Sequence, residues 1–504
     1  MIKNVIIQAG GKGSRMGYLT NNRPKCLISL YGTNLLKTVA AAFPGARLYI
    51  IGDYKFEALK GYLESVDPGF EFTLIKSKGI GTNAGINEAL EFIPENERIA
   101  VSWSDLYYQS VLKLPEPSGN YVCVSNTEKC RYRFEDGRFI ESLSSKNGVI
   151  GLFIFENKKI LGKVPDSGEF VKFLASTEIK MESLTIDSIV EIGTLEKYIE
   201  FKSRFSNSRF FNSVIIENDK VTKTYSDPEF KKLIELEVEW YKFMNQRNYD
   251  GVPKIFTYEP LQMERIDGMH PYQMGNFKEN EKIEIVKNIM EKLKQIHSLD
   301  KTSKKNEDLY DVYVEKTLKR IEPATMILKN KSDMKFKING KRVQFLSKDS
   351  REIMNEMFKK LTPINYFYPI HGDPTFSNTI VTKNGDIKFI DPRGYFGKTK
   401  IFGDSRYDFA KLYYSAVGNY DQFNNGNFKL ELNLPEVNID IVSSKFEITD
   451  DFFKDTFKDI YKDIKILHSM IWLSLSGYVL NDYDSILASY FLGLYYLECA
   501  LNEY

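Results

Sequence analysis

The sequence predicts two folded units, an α/β unit followed by a mixed α+β unit. The 504 residues exceed what one hydrophobic core usually serves. Over residues 1–205 short apolar runs alternate with helical spacings, a pattern typical of a mostly parallel sheet. The stretch 202–212 is then rich in Ser, Asn and Arg, and a hairpin and helices follow it. We therefore predict a domain boundary near residue 206.

Individual elements follow from hydrophobic periodicity. In the first unit, strands are predicted at 5–8, 47–52, 72–75, 98–103 and 120–124. In the second, the pattern predicts a hairpin at 211–225 with its turn at 217–219, helices at 228–244 and 279–299, and strands at 254–258 and 261–266. The lysine-rich stretch 300–350 predicts a solvated helix and a hairpin, and 451–504 is helical in pattern. The order predicts a small mixed lobe at 206–268 and a helical lobe at 269–504.

Composition excludes several classes of function. The net charge of +1, from 69 basic and 68 acidic residues, gives no basic surface of the kind that nucleic-acid binding requires. The four cysteines lack paired spacing, which predicts reduced thiols and a cytoplasmic location. No window approaches about 18 uninterrupted apolar residues, so no membrane span is expected. We expect small-molecule partners, and the sequence leaves open whether the chain forms a homo-oligomer.

A glycine-rich loop follows the first predicted strand. The segment reads QAGGKGSRM at 8–16, and Arg23-Pro24-Lys25 comes shortly after it. Glycines let backbone amides approach a triphosphate closely, and basic side chains add charge. The spacing fits neither a Walker A motif nor the dinucleotide fingerprint, which needs a glycine where Met16 stands.

This combination resembles nucleotidyltransferases of the sugar-nucleotide and phosphocholine type. The resemblance implies a Rossmann-like, GT-A-like α/β domain over 1–205, with Lys25 and Arg15 as catalytic cations. It also implies two groups of nucleotide-binding residues: Gln8, Ala9, Gly10, Gly11 and Gly13 in the loop, and Gly81 and Thr82 further on.

The same resemblance implies a magnesium site and an acceptor-phosphate contact. Asp105 stands where the family keeps a metal-binding aspartate, although the family usually has glycine where Ser104 precedes it. Glu191 replaces the family's second metal aspartate by a longer side chain. Two carboxylates and nearby cations would serve Mg²⁺ and the leaving pyrophosphate. Lys146 resembles the lysine that fixes the acceptor phosphate, and an ordinary surface lysine is an equal alternative.

A second phosphate-handling motif lies in the C-terminal half. His371-Gly-Asp-Pro-Thr-Phe-Ser-Asn378 places Asp373 and Asn378 on one loop, and Asp391 follows the apolar run 387–390. Asp373 can accept a hydroxyl proton, while Asn378 and Asp391 can hold Mg²⁺. The pattern resembles the aminoglycoside phosphotransferase and choline kinase superfamily. The resemblance implies a bilobal protein-kinase-like domain over 206–504 in which His371 supports the loop.

The small lobe carries further positions that the kinase resemblance assigns to ATP. Lys223 resembles the lysine that binds ATP phosphates, and Glu237 resembles its ion-pair partner, although Glu235 and Glu239 remain alternatives. Met263 and Arg265 lie in a segment that resembles the adenine-binding hinge, and a plain buried strand is the other interpretation.

Together the motifs predict a bifunctional enzyme. The kinase would phosphorylate a small acceptor with ATP, and the transferase would join the product to a nucleoside monophosphate from CTP, UTP or GTP, as in surface-glycan pathways. Arg393 follows Asp391 where choline kinases have an acidic residue, which favours a sugar or polyol-like acceptor over choline. The alternatives are a choline kinase joined to a CTP:phosphocholine cytidylyltransferase, and a non-catalytic scaffold that senses nucleotide.

Overall fold

A computed structural model describes residues 2–115, 119–204, 212–225, 231–331, 334–343 and 350–502. The chain divides into two compact units. Unit 1 is Met1–Asn207 with Leu480–Asp484, and unit 2 is Ser208–Val479 with Ser485–Tyr504. The predicted boundary near residue 206 lies outside the described residues. The assignment of 480–484 to unit 1 had no counterpart in the sequence prediction.

Unit 1 is an α/β structure. Its strands are β1 Asn4–Gln8, β2 Ser29–Leu30, β3 Thr33–Asn34, β4 Arg47–Gly52, β5 Phe72–Lys76, β6 Ile99–Trp103, β7 Leu106–Tyr108, β8 Tyr121–Ser125, β9 Cys130–Glu135, β10 Arg138–Ser144, β11 Gly148–Phe155, β12 Glu182–Thr185 and β13 Ile189–Glu191. Its helices are α1 Leu35–Ala42, α2 Phe56–Ser65, α3 Thr82–Leu90, α4 Phe170–Ala175 and α5 Leu195–Ser203.

The main sheet of unit 1 is mixed. Strands β6, β1, β4 and β5 are neighbours in that order and pair in parallel. Strand β11 pairs antiparallel with β6, β8 and β9, and β9 pairs antiparallel with β10. The prediction of a mostly parallel sheet therefore holds for the first half and is wrong for the second. Strands β9 to β11 are joined by short turns, and antiparallel neighbours need no crossover helix.

Strand composition explains where the core of unit 1 lies. All eight residues of β11 are buried, and β1 and β6 are buried along most of their length. Their inner faces form one cluster with α3 and α4, which includes Ile6, Ile86, Phe153 and Phe170. The loops after β1, β5 and β6 leave the carboxyl edge of this sheet, where ligands bind in open α/β folds.

Unit 2 combines small sheets with helices. Its strands are β14 Asn212–Glu217, β15 Lys220–Tyr225, β16 Ile255–Tyr258, β17 Leu261–Glu264, β18 Gly268–Met269, β19 Thr302–Ser303, β20 Phe336–Ile338, β21 Lys341–Val343, β22 Tyr366–Pro369, β23 Thr379–Thr382, β24 Ile387–Phe389, β25 Phe402–Gly403, β26 Phe428–Asn433 and β27 Glu436–Ile441. Its helices are α6 Lys231–Gln246, α7 Glu279–Ser298, α8 Asn306–Tyr310, α9 Lys316–Ile327, α10 Ser350–Lys360, α11 Ser405–Ala416, α12 Tyr420–Asn424, α13 Asp450–Thr456, α14 Tyr461–Leu475 and α15 Tyr483–Asn502, whose first two residues belong to unit 1.

The first part of unit 2 is an antiparallel sheet in the order β14, β15, β17, β16, with α6 after β15. Helix α7 follows the predicted bounds closely, because its apolar positions recur at helical spacing and are buried, among them Ile285, Ile289, Leu293 and Ile296. The expectation of a solvated helix in 300–350 is wrong for α9. That helix packs on α14 and buries Thr317, Ile321 and Ala324.

Among the described residues, no helix is both long and apolar enough to cross a membrane.

Candidate active sites

The glycine loop of unit 1 has a backbone shape that only glycine tolerates easily. Gly13 has a φ of 63°, and a Cβ there would lie 3.1 Å from Thr20 Cγ2 and 3.4 Å from Lys25 Cε. Met16 is fully buried in a cluster with Ile28 and Ile192. Met16, which stands where the dinucleotide fingerprint needs a glycine, therefore holds the loop in place by packing in this cluster.

Two other parts of the loop region are open to a ligand. A Cβ on Gly11 would meet no atom within 4 Å. The side-chain nitrogen Nε2 of Gln8 is buried and makes no hydrogen bond in the part of the chain that the structure describes. A buried donor without a partner is costly, and an incoming nucleotide would supply an acceptor.

An ion pair joins Lys25 to Asp105, and strand pairing places Glu191 next to that pair. Lys25 Nζ lies 2.8 Å from Asp105 Oδ2. Strand β13 pairs with β7, which sets Glu191 opposite Leu106. The Glu191 carboxyl group has a raised pKa because it is largely buried and because the Asp105 charge repels it. Lys197 lies 3.2 Å from Glu191 Oε2 and 2.6 Å from Glu128 Oε2. Sequence reasoning missed Lys197, which has no motif of its own.

This carboxylate pair fits a divalent cation. Asp105 Oδ1 is buried and has no hydrogen-bond partner among the described residues. Asp105 and Glu191 are neighbouring carboxylates, and carboxylate oxygens are the ligands that Mg²⁺ prefers. The described ranges contain no cluster of three or more acidic, histidine or cysteine side chains suited to a metal. Further ligands would therefore come from the nucleotide and water.

The other predicted residues of unit 1 occupy different surroundings. Arg15 is exposed. Its side chain and that of Glu191 both approach Gly193, because a Cβ added to Gly193 would lie 3.6 Å from Arg15 Nη2 and 2.4 Å from Glu191 Oε1. Gly81 has a φ of 89°, and its Cβ would collide with the Gly168 carbonyl. Thr82 begins α3 and accepts a hydrogen bond from the Phe170 amide.

Lys146 lies apart from these groups in the contacts that the structure describes. It is exposed in the turn between β10 and β11, where its amide bonds the Ser144 hydroxyl. No described contact joins it to Lys25, Asp105 or Glu191. Its role toward an acceptor phosphate stays a prediction.

Arg23 has a structural role. Its side chain is 4% exposed and lies 2.5 Å from Asp482 and 3.6 Å from Asp484, within the 480–484 segment of unit 1. The sequence predicts that Arg23 and Lys25 belong to one phosphate-handling motif. The Arg23 guanidinium instead neutralises two acids, whereas Lys25 contacts Asp105.

Asp484 makes the stability of unit 1 depend on pH. Burial raises the pKa of Asp484 to about 6, against the opposing charge of Arg23. A raised folded-state pKa means that the folded form binds the proton more tightly, so this group lowers stability as pH rises from about 4 to 6. In the native chain this group should lower the free energy of unfolding by about 2–3 kcal/mol between about pH 4 and pH 6, and Asp484→Asn should remove that decrease. The measurement is the pH dependence of the thermal transition of unit 1.

The exposed acid Asp187 provides the control for this variant. Asp187→Asn should leave the profile unchanged. An unaltered slope in Asp484→Asn would contradict the assignment.

In unit 2, the loop between β22 and β23 holds Asp373 and Asn378 together. Asn378 Nδ2 donates to Asp373 Oδ2 at 3.0 Å and to the Asp373 carbonyl at 2.9 Å. Asp408 on α11 accepts hydrogen bonds from the amides of His371 and Gly372, at 2.9 and 2.7 Å. A buried carboxylate thus fixes the backbone that presents Asp373.

The histidines support this loop. His371 Nε2 lies 3.1 Å from the Ile390 carbonyl, and its Nδ1 accepts the Asp373 amide at 3.2 Å. Burial lowers the pKa of His371, which favours the neutral ring. His297 lies 3.0 Å from Asp408 and packs on Phe409, as expected for a structural residue.

Lys223 lies on β15 and contacts the loop after β24. Its Nζ lies 2.6 Å from Glu237 Oε2 and 2.8 Å from Asp391 Oδ1. Burial opposes the charge on Lys223, but Asp391 and Glu237 outweigh it and raise its pKa. Glu237 is buried, whereas Glu235 and Glu239 are exposed and pair with Lys231 and Lys400. The ion pair expected from the sequence therefore uses Glu237.

Asn378 and Asp391 have the chemistry to hold a magnesium ion. Asp391 adopts a φ of 53°, which is unusual for a non-glycine residue. Its carboxylate remains partly exposed beside Lys223. An amide oxygen and a carboxylate are suitable Mg²⁺ ligands, and phosphates would supply the rest.

The two residues of the predicted hinge, Met263 and Arg265, have different surroundings in the structure. Met263 is buried within β17, between Val221 and Ile255 on the flanking strands. The Arg265 amide donates to the Asp219 carbonyl at 2.8 Å. An adenine contact in this segment would therefore need backbone groups other than the Arg265 amide.

Comparison with known proteins matches the N-terminal part of the chain. Residues 5–131 match the model of the MobA-like NTP transferase domain. The CTP:phosphoglutamine cytidylyltransferase of Campylobacter jejuni is 30% identical over 165 residues, which cover 29% of this chain and 63% of that protein. The chain thus spans less than two thirds of that relative.

Solved structures match part of the chain at low similarity. HddC from Yersinia pseudotuberculosis is 21% identical, with a TM-score of 0.34, and the match covers 41% of this chain and all of HddC. The inositol-1-phosphate CTP transferase from T. maritima is 14% identical, with a TM-score of 0.32, over 41% of this chain and 98% of that one. The glycine loop, Lys25 and Asp105 all fall within residues 5–131, the part of the chain that matches the model of the MobA-like NTP transferase domain.

Proposed function

We propose that the chain is a bifunctional enzyme that makes an activated, NDP-linked precursor for surface-glycan biosynthesis. Unit 2 phosphorylates a small hydroxylated acceptor with ATP, and unit 1 then joins the phosphate to a nucleoside monophosphate. The carrying observation is that each unit has its own lysine–carboxylate group, Lys25 with Asp105 and Lys223 with Asp391. Each group suits a phosphate substrate that arrives with Mg²⁺.

The kinase step uses the loop of unit 2. Asp373 takes the proton of the acceptor hydroxyl as its oxygen bonds to the γ-phosphorus, and the bond from that phosphorus to ADP breaks. Asn378 and Lys411 hold the Asp373 carboxylate at 3.0 Å each. Lys223, fixed by Glu237, binds the nucleotide phosphates.

The transferase step uses the carboxyl edge of the unit 1 sheet. A phosphate oxygen of the acceptor attacks the α-phosphorus of the NTP, and the bond to pyrophosphate breaks. Lys25 and Arg15 offset the negative charge that builds up on the departing group. Asp105 and Glu191 would hold Mg²⁺, and the backbone of 9–13 would bind the triphosphate.

The candidates for the nucleotide and for the acceptor can be ranked. The Campylobacter jejuni relative uses CTP by its name, so CTP is our first candidate among CTP, UTP and GTP. The choline kinase and CTP:phosphocholine cytidylyltransferase pairing is the alternative of the same class. A nucleotide-sensing scaffold is the alternative of another class, and the fixed Asp373–Asn378 pair favours catalysis over it.

A coupled screen tests the proposal. The full chain is incubated with ATP, Mg²⁺, one NTP and one acceptor from a panel of sugars, polyols, sugar acids and choline. ADP and pyrophosphate are measured separately. We expect ADP release that depends on the acceptor and pyrophosphate release that depends on the phosphorylated product. Turnover of choline with CTP alone would replace the proposal by the phosphocholine alternative, and nucleotide binding without either release would favour the scaffold.

A further inference from the structure

Four basic side chains of unit 2 lie near one another, and one of them contacts Asp373. They form a group that we call the acceptor cluster: Lys316, Arg320, Arg393 and Lys411. Lys411 lies on α11 with its Nζ 3.0 Å from Asp373 Oδ1. Lys316 and Arg320 are one turn apart on α9, the helix that the sequence had suggested was solvated. Only Arg393 had been predicted to contact substrate.

Arg393 is held rigidly beside the catalytic loop. Its guanidinium carbon lies 4.4 Å from the centre of the Tyr395 ring, and its Nη1 donates to the Tyr407 hydroxyl at 3.1 Å. Its amide donates to the His371 carbonyl at 2.9 Å. Gly372 leaves room for it, since a Cβ there would lie 2.9 Å from Arg393 Cβ. A pre-positioned planar cation is suited to recognise a carboxylate.

The cluster has more positive charge than nearby acids balance. Within the described ranges, Lys316, Arg320 and Arg393 make no ion pair with a carboxylate. Burial, and then Arg393, Arg320 and Lys411, lower the pKa of Lys316 well below its ordinary value. Burial and Arg393 likewise lower the pKa of Arg320. Crowded like charges oppose folding, and a bound anion would relieve the repulsion.

The anion has two possible sources, the acceptor and the transferred phosphate. Lys223 already serves the nucleotide side, beside Asp391. The cluster instead contacts Asp373 through Lys411, and the Asp373 carboxylate must touch the acceptor hydroxyl if it acts as the base. Lys316, Arg320 and Arg393 each keep part of their surface exposed. These positions favour the acceptor as the source.

We propose that the acceptor of unit 2 is a hydroxy acid, whose carboxylate Arg393, Arg320 and Lys316 hold while Asp373 faces its hydroxyl. The inference rests on the proposed kinase function and narrows its substrate. Neutral polyols would leave the cluster without its anion, and a quaternary amine would be repelled by it.

Matched acceptor pairs test this inference in the full chain. Gluconate is compared with glucitol and glycerate with glycerol, with choline alongside, through ATP-dependent ADP release. We expect the acid of at least one pair to exceed its neutral partner tenfold or more in kcat/KM. A neutral member or choline as the better substrate would overturn the inference while leaving the kinase in place.

A substitution separates the two anion sources. Arg320→Met should raise the KM of the acid about tenfold or more and change the KM of ATP little, because a charge-assisted hydrogen bond is lost on the acceptor side. Arg320→Lys should retain part of the effect, which also guards against misfolding. Arg342→Met, at an exposed arginine of β21, is the control. An equal rise in the KM of ATP would assign the cluster to the nucleotide.

Binding without turnover distinguishes this inference from the kinase proposal. In Asp373→Asn the acid should still raise the thermal transition of unit 2, and glucitol and glycerol should not. Acid binding with no turnover by the native chain would refute the kinase and keep the anion site. Turnover of other acceptors without acid binding would refute the site and keep the kinase.

Discussion

Asp373→Asn is expected to lower ATP-dependent phosphorylation of the acceptor by about a hundredfold to ten-thousandfold, the range for loss of a general base. The amide cannot accept the hydroxyl proton, yet it keeps the size of the side chain and a partner for Asn378. ADP release in the presence of acceptor is the measurement. Pyrophosphate release from NTP and supplied phosphorylated acceptor should be unchanged, because Asp373 lies in unit 2 and the transferase residues lie in unit 1.

Asp386→Asn is a matched control in the same unit. Asp386 lies exposed in the turn after β23, and its substitution should affect neither activity. Loss of both activities in Asp373→Asn would contradict two separate sites. Full kinase activity in that variant would contradict the role of Asp373.

Local motifs could be predicted from the sequence because their geometry depends on few residues. The spacing from His371 to Asn378 fixes one loop, and Asn378 reaches Asp373 within it. Asp391 follows a short strand that pairs with β23 directly after the loop. The choice of Glu237 over its neighbours needed the packing of α6, because three alternating glutamates differ only in which one faces the sheet.

Groups assembled from distant segments could not be predicted. Lys316, Arg320 and Lys411 come together through the packing of α9 and α11, and no spacing connects them in the chain. A lysine-rich stretch ordinarily indicates a solvated face, which is why α9 was misjudged. The acids Asp482 and Asp484 are more than 450 residues from Arg23, and their pairing depends on a segment that the chain adds to unit 1 near its end.

Lys25→Met is expected to lower nucleotidyl transfer by about a hundredfold to a thousandfold, the size of effect that follows loss of one preorganised charge. Lys25 is the cation in direct contact with Asp105, so its removal leaves both a deficit of positive charge near the triphosphate and a buried carboxylate without its partner. The measurement is pyrophosphate release with supplied phosphorylated acceptor. Acceptor-dependent ADP release from ATP should be unaffected.

Two further variants separate catalysis from stability. Lys25→Met/Asp105→Asn removes the unpaired charge, so it should recover stability without recovering transfer, since both functional groups are then missing. Lys25→Arg keeps the charge and should retain more activity than Lys25→Met. Lys60→Met, at an exposed lysine of α2, is the control for loss of a lysine in unit 1. Transfer restored by the double variant would show that Lys25 acts only by balancing Asp105 in the fold, and the charge on the nucleotide would then have to be met by Arg15 and the loop backbone.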